Sequence, residues 1–193
     1  MLDKKQVCIG LGDVDFTFAV YIQNQPNMPQ WQELNRVVPL QKTDVDSIGK
    51  ACGNGWRKVF NVYAKLLYAL DKEYFKFSLS APTWQAYRDQ YLLQEGSQTA
   101  LLFNATSLTI DNDYNSKKSV QIVHIICGRT YAKQLIKTGQ LTDSLLWLDE
   151  EFAINVNQRV IVCPYFDYRQ LSNVKIQRLS TLLSGLSKNE HVT

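Results

Sequence analysis

Val160-Ile161-Val162-Cys163, followed by Pro164-Tyr165-Phe166-Asp167-Tyr168-Arg169-Gln170-Leu171-Ser172, leads into a run with apolar residues at Val174, Leu179, Leu182, Leu183 and Leu186. The first four residues form a short apolar block bounded by proline, the signature of a buried strand. The later spacings suit a helix with one apolar face. A buried strand feeding a helix is half of a βαβ unit, and such units hold their ligands beyond the carboxyl ends of the strands. The 164–172 turn is therefore the first place to expect a site.

The same pattern repeats on either side. Val120 to Gly128 predicts the best buried strand, and Arg129 to Lys137 follows as a helix closed by Gly139. Thr99 to Asn104 is a continuous apolar strand, preceded by a helix over Trp84–Leu93 that starts at Thr83 and closes at Gly96. Trp56, Val59, Phe60, Tyr63, Leu66, Leu67 and Leu70 recur at three- and four-residue spacings, which predicts a long helix with a broad buried face. A shorter helix begins at Thr43 or Asp44 and breaks at Gly53-Asn54-Gly55. Val7–Gly10 and Phe16–Ile22 predict strands around a 10–15 turn, and 23–29 reads as loop. Trp31–Val38 and Thr142–Glu150 read as short helices, Phe75–Leu79 as a strand or extended connector, and Ser107–Lys118 as a polar loop. Buried strands alternating with amphipathic helices predict a three-layer α/β/α sandwich with a largely parallel central sheet. Its strand ends at Gly10, Asn104, Cys127 and Cys163 should then share one edge.

The 193 residues suit one α/β domain over 1–193, with a polar tail at 187–193. A formal charge of +3 does not demand nucleic acid. The clusters Arg57/Lys58/Lys65, Lys117/Lys118, Arg129/Lys133/Lys137 and Arg169/Lys175/Arg178 read as solvated helix faces rather than a phosphate track. Cys8, Cys52, Cys127 and Cys163 have no C-x-x-C spacing and read as buried reduced thiols. The polar start of the chain lacks a signal-peptide core and no apolar run would span a bilayer, so the expectation is a cytoplasmic protein with no membrane partner.

Several chemical motifs fail on inspection. Gly10-Leu11-Gly12 begins like a dinucleotide fingerprint, but Asp15 stands at the third glycine. Asp111 and Asp113 lack the glycine and distal glutamate of a calcium loop. His124 lies inside a strand and reads as a satisfied strand histidine. Cys8, Cys127 and Cys163 end apolar runs, so a parallel sheet can bring two of them together, but their spacing does not predict a metal centre. Neither metal nor cofactor is expected. What remains is a convergence of polar groups after strands: Asp13 or Asp15, Asn104, and the 164–172 turn. The Asn104 amide offers a donor and an acceptor to the edge of a base, or equally to backbone.

In its order of segments the chain resembles the uracil-DNA glycosylase superfamily. Ala100-Leu101-Leu102-Phe103-Asn104-Ala105-Thr106-Ser107-Leu108-Thr109-Ile110 is similar to the family's L-L-L-N-x-x-L-T-V strand and turn. Val123 to Ala132 resembles its strand ending in glycine before an alanine-bearing helix, and Val162 to Ser172 takes the place of its H-P-S-P-L-S loop. Val7–Asp13 stands where the first strand and its G-Q-D-P-Y-H turn would be, and Trp56–Leu70 where the next helix would be. The resemblance implies a nucleobase flipped into a pocket. Asn104 would read the base, with Phe16 and Cys163 beside it, and Asp13 would orient water. Tyr165, Tyr168, Arg169 and Ser172 would contact nucleic acid, and the implied partners are single- or double-stranded DNA or a nucleotide. The residues depart from the family at the first turn, which lacks Pro-Tyr-His, and at Cys163, which replaces histidine. A thiol does not supply a cationic donor, and loss of one preorganised donor costs about a hundredfold to a thousandfold in rate. Base binding with weak or lost hydrolysis is the resulting expectation. The alternative is a non-catalytic interaction module using Tyr165, Phe166 and Tyr168 as an exposed aromatic patch for a protein partner that the sequence leaves unknown.

Overall fold

The computed structural model describes residues 7–106, 108 and 122–188. Apart from Leu108, the expected Ser107–Lys118 loop lies outside these residues, as do Val120, Gln121 and the tail from residue 189. Among the described residues one sheet contains β1 (Gly10–Gly12), β2 (Phe18–Tyr21), β3 (Val37–Val38), β4 (Thr99–Leu102), β5 (Val123–Cys127), β6 (Leu146–Trp147), β7 (Ala153–Asn155) and β8 (Val160–Cys163). Its order is β3-β1-β4-β2-β5-β8-β7-β6. The central strands β4, β2, β5 and β8 are mutually parallel, whereas β1 runs antiparallel to β4 and β7 antiparallel to β8. The α-helices whose bounds are described are α1 (Pro29–Gln32), α2 (Asp44–Ala51), α3 (Asn54–Ala69), α4 (Trp84–Gln90), α5 (Arg129–Lys137) and α6 (Asn173–Lys188).

Side-chain alternation along the strands builds a core on each face. Phe18 and Val20 of β2, Ile125 and Cys127 of β5, and Ile161 and Cys163 of β8 join α3 and α6 in the larger core. Ala19, Tyr21, Ile126, Val160 and Val162 point the other way, toward Tyr131, Ala132 and Leu135 of α5. The sheet is thus covered by helices on both sides, as a parallel sheet with two apolar faces requires. All seven apolar positions expected on α3 and its end are buried. Tyr63 also donates its hydroxyl to the Ala100 carbonyl at 3.0 Å, fixing α3 over β4. Thr83 caps α4 as expected, accepting the Ala86 N–H at 3.2 Å. No described helix is long and apolar enough to cross a membrane.

Several local expectations are corrected. The 31–38 helix is only α1, because the chain extends at Val37–Val38 to pair with β1. Phe77–Ser80 is a 3-10 helix rather than a strand. Residues 146–147 form an edge strand against β7 instead of belonging to a helix. The helix after Thr83 ends at Gln90, short of Gly96. Val174 is 80% exposed, while Ile176 takes the buried position in the first turn of α6. That helix continues through Ser187 and Lys188, residues expected to begin the tail.

Gly10 and Gly12 owe their identity to β4. A Cβ on Gly12 would run into the Thr99 carbonyl and stand 2.7 Å from the Ala100 Cα, and one on Gly10 would stand 2.9 Å from the Leu102 Cα. The Gly-Leu-Gly sequence therefore serves close backbone approach, not a pyrophosphate. Among the described residues, three other than glycine hold left-handed backbones, Leu93 at φ 59°, Gln98 at 56° and Arg159 at 53°. Each such residue costs about 1–2 kcal/mol and persists where its surroundings fix it. The Gln98 N–H bonds Asp13 Oδ2 at 2.8 Å, and its carbonyl accepts from Thr17 at 3.0 Å. The Arg159 carbonyl accepts from His124 at 2.9 Å.

Candidate functional site

Parallel register sets the geometry of the site. Tyr21 pairs with Ile126, and Cys127 pairs with Cys163, so β2, β5 and β8 end at nearly one level. Beyond those ends lies a cleft of about 440 Å³ lined by Gln23 and Asn24 after β2, Gly128 and Arg129 after β5, and Tyr165 and Gln170 after β8. Thr130, Tyr131, Glu150, Glu151, Pro164 and Cys127 complete it.

Each wall is held in place. Gly128 adopts φ 98°, a conformation suited to glycine, and opens α5 so that its first turn borders the cleft. The free backbone N–H groups of a helix start favour acceptors and anions. Arg129 lies 5.2 Å over the Trp147 ring and pairs with the Glu150 carboxylate. Asn24 bonds the Tyr165 side chain, while burial pushes the Tyr165 phenol above its usual range. Gln23 Nε2 donates to Gln134 at 3.3 Å. Beneath the cleft, burial raises the Cys127 thiol well above its ordinary value, and its contact with Cys163 adds to the effect. Cys163 is fully buried and directs its thiol toward the Pro164 carbonyl at 3.3 Å. These two are the pair of strand-end cysteines that a parallel sheet was expected to bring together. No group of three or more metal-ligating side chains occurs among the described residues.

The residues expected to form the site do not all meet there. Asn104 lies at the carboxyl end of β4, but its Oδ1 accepts the Ile9 N–H at 3.0 Å and its Nδ2 donates to the Val7 carbonyl at 2.9 Å. The amide extends the β1–β4 ladder by imitating a peptide group. Asp13 lies at the opposite end of the sheet, where β1, running antiparallel, delivers it beside Thr99. Phe16 precedes β2 and is also on that far side, packed on the smaller core. Gly10 lies near the carboxyl edge, but as the start of its strand, so the common edge comprises the ends of β2, β4, β5 and β8. His124 is buried in its strand with Nδ1 2.7 Å from the Tyr21 hydroxyl, as expected of a structural histidine.

The 164–172 turn is divided. Tyr165 and Gln170 line the cleft, whereas Phe166 is wholly buried against Tyr63, with ring centroids 5.7 Å apart. Tyr168 is exposed and carries Lys58 Nζ 4.9 Å over its ring. An exposed patch of three aromatics is thus absent, because the turn spends Phe166 on the core. Ser172 stands just before α6, and its carbonyl accepts the Ile176 N–H at 2.8 Å. Sequence reasoning missed Gln23, Asn24 and Gln170. The signal for the first two was the polar Gln23-Asn24-Gln25 immediately after an apolar run, the same strand-then-turn pattern used elsewhere.

The basic clusters are largely committed to carboxylates. Lys58 and Arg169 both pair with Asp167 (2.9 and 3.1 Å), Lys175 pairs with Glu151 (2.6 Å), and Arg178 with Asp149. Arg169, then Lys58, holds the Asp167 carboxyl well below its usual range. Backbone N–H groups of Glu151 and Phe152, with Arg178, lower Asp149 to about 2. Depressed folded-state values mean that both carboxylates contribute stability above the unfolded value of about 3.9 and lose it as pH falls through the folded values. Thermal melts should therefore drop in Tm from about pH 4 downward, and Asp167→Asn should flatten that drop while lowering Tm at pH 7. An unchanged acid profile in the variant would remove Asp167 from the account.

The model of a family described as "Family of unknown function (DUF6942)" matches residues 9–184. No curated protein and no solved structure matches the chain.

Proposed function

The chain belongs to that family of unknown function, and from its own geometry we propose that it binds a nucleobase or nucleotide in the cleft beyond β2, β5 and β8. The observation that carries this reading is that the amides Gln23, Asn24 and Gln170, the tyrosines Tyr131 and Tyr165, and the start of α5 line one cleft. Amides pair with the donor and acceptor edge of a base, tyrosine rings stack on its face, and a helix start suits a phosphate.

A uracil-DNA glycosylase-like arrangement fits the four parallel strands, with one change from the sequence-based alignment. The family's motifs follow strands that must open on one edge. β1 is antiparallel and cannot serve, so β2 takes the first-strand place. Gln23-Asn24-Gln25-Pro26 then stands where the family has G-Q-D-P-Y-H. On that alignment Gln25 replaces the carboxylate that orients water, and Cys163 replaces the histidine. An amide does not act as a general base, and a buried thiol does not stabilise a base anion. The reading is accordingly a base-binding protein without glycosidic hydrolysis, for which a uracil-containing oligonucleotide is a ligand and not a substrate.

Calorimetry with uracil, adenine, uridine monophosphate and a short single-stranded oligonucleotide tests this. Asn24→Ala should weaken the best of these ligands about tenfold or more, since two amide hydrogen bonds contribute about 1 kcal/mol each, and should leave Tm nearly unchanged. Measuring the oligonucleotide at two salt concentrations separates base contacts from phosphate contacts. Absence of binding by all four ligands at millimolar concentration would refute the proposal.

A further inference from the structure

The sheet opens a second time, at its other end. Thr17 and Phe18 at the start of β2, Gln98 before β4, Val123 of β5 and Arg159 before β8 border a cavity of about 530 Å³. That volume suits a small organic ligand. The cavity is separated from the base cleft by the length of the parallel strands, and no residue lines both.

Its walls are aromatic. Phe18 meets Phe75 and Phe77 edge-on, with ring centroids 6.1 and 5.6 Å apart, and Phe75 and Phe77 stack at 6.3 Å. Tyr87 and Tyr91 of the α4 segment form another stacked pair at 6.0 Å. Of the charged lining residues, Glu73, Lys76 and Glu95 are exposed, whereas Arg159 is part-buried. The charge set deepest is therefore positive, beside rings that favour a flat apolar body.

Backbone conformation gives a second, independent indication. Gln98 and Arg159, two of the three described non-glycine residues with left-handed φ, both line this cavity. Arg159 follows a turn closed by its N–H to the Val156 carbonyl at 3.2 Å, a place where glycine holds the same conformation without steric strain. Keeping arginine there retains its side chain at the expense of the backbone, a trade typical of ligand sites.

We propose that this cavity binds a small aromatic carboxylate, its ring against Phe75, Phe77 and Tyr91 and its carboxylate at the Arg159 guanidinium. A planar guanidinium matches a carboxylate with two parallel hydrogen bonds. The ligand differs in class from the one assigned to the opposite cleft, and the two sites succeed or fail separately.

Calorimetry on the full chain with 2-naphthoate and its neutral isostere 2-naphthamide tests the assignment. Naphthoate should saturate one site, with the amide at least tenfold weaker. Arg159→Gly should hold or raise Tm, because it relieves the left-handed strain, and should weaken naphthoate at least tenfold. Arg159→Lys should fall between that variant and the parent, and Asn24→Ala should bind naphthoate unchanged. The proposal is overturned by no binding of naphthoate, by equal affinity for the amide, or by full affinity in Arg159→Gly. It is equally overturned if Asn24→Ala abolishes binding, which moves the ligand to the opposite cleft. A fall in Tm for Arg159→Gly with full affinity in Arg159→Lys would make the arginine structural and overturn it too.

Discussion

Phe166→Ala is expected to destabilise the protein by about 3–5 kcal/mol, the usual loss for truncating a fully buried phenylalanine. Phe166 has no exposed surface and packs edge-on against Tyr63, which is itself wholly buried and hydrogen-bonded to the Ala100 carbonyl. Removing the ring opens a cavity where α3, β4 and the 164–172 turn meet. In a chain of this length the loss corresponds to a fall in Tm of roughly 6–20 °C. Tyr168→Ala, two residues away, should cost less than about 1 kcal/mol, because the exposed Tyr168 ring gives up little beyond its contact with Lys58. Urea denaturation of the two variants decides between a core turn and an adhesive one. If Phe166→Ala kept its full stability and Tyr168→Ala lost much, the turn would not be anchored in this way.

The contrast between those neighbours marks what the sequence makes legible. The long helix α3, the buried strands β4, β5 and β8, and the alternation of strands with helices all follow from apolar periodicity and could be read residue by residue. β3 and β6 have two residues each, too short for any period to register. Their strand character comes from the neighbour they extend. Phe166 and Tyr168 are both aromatic and both in a turn, so only the tertiary position of α3 assigns one to the core and the other to solvent.

Strand direction was the larger omission, and it changes which turns share an edge of the sheet. An apolar run bounded by glycine says that β1 is a strand but not which way it runs in the sheet. Read as parallel, β1 puts Asp13 at one edge with Asn104, whose amide suits either backbone or, by the family resemblance, the edge of a base. In the folded chain β1 is antiparallel, Asn104 ties it to β4, and the polar turn at the shared edge is Gln23–Gln25 instead. The charge clusters are a parallel case. Their cations are evident in the sequence, whereas the acidic partners of Lys58, Lys175 and Arg178 lie 24 to 109 residues away in the chain.

Asp13→Ala should cost about 2–5 kcal/mol and leave unchanged the nucleobase affinity proposed for the cleft. Asp13 is 5% exposed, and its carboxylate accepts the N–H groups of Gln98 at 2.8 Å and Asp15 at 3.2 Å. Hydrogen bonds to a charged acceptor contribute about 1.5–3 kcal/mol each, and truncation also strands donors that the carboxylate had satisfied. The Gln98 bond carries extra weight because it helps fix a left-handed backbone between Ser97 and β4. Asp13→Asn keeps one acceptor oxygen and should lose roughly half as much. The five residue steps from Thr99 to Asn104 span roughly 16 Å of strand, which keeps Asp13 out of reach of a base bound at the carboxyl edge. Chemical denaturation and nucleotide calorimetry on the same variant therefore report opposite things. A stability loss at constant affinity makes Asp13 the staple of the 13–18 and 97–99 turns. Lost affinity at full stability would return it to the role of a ligand-site carboxylate and would require β1 to run the other way.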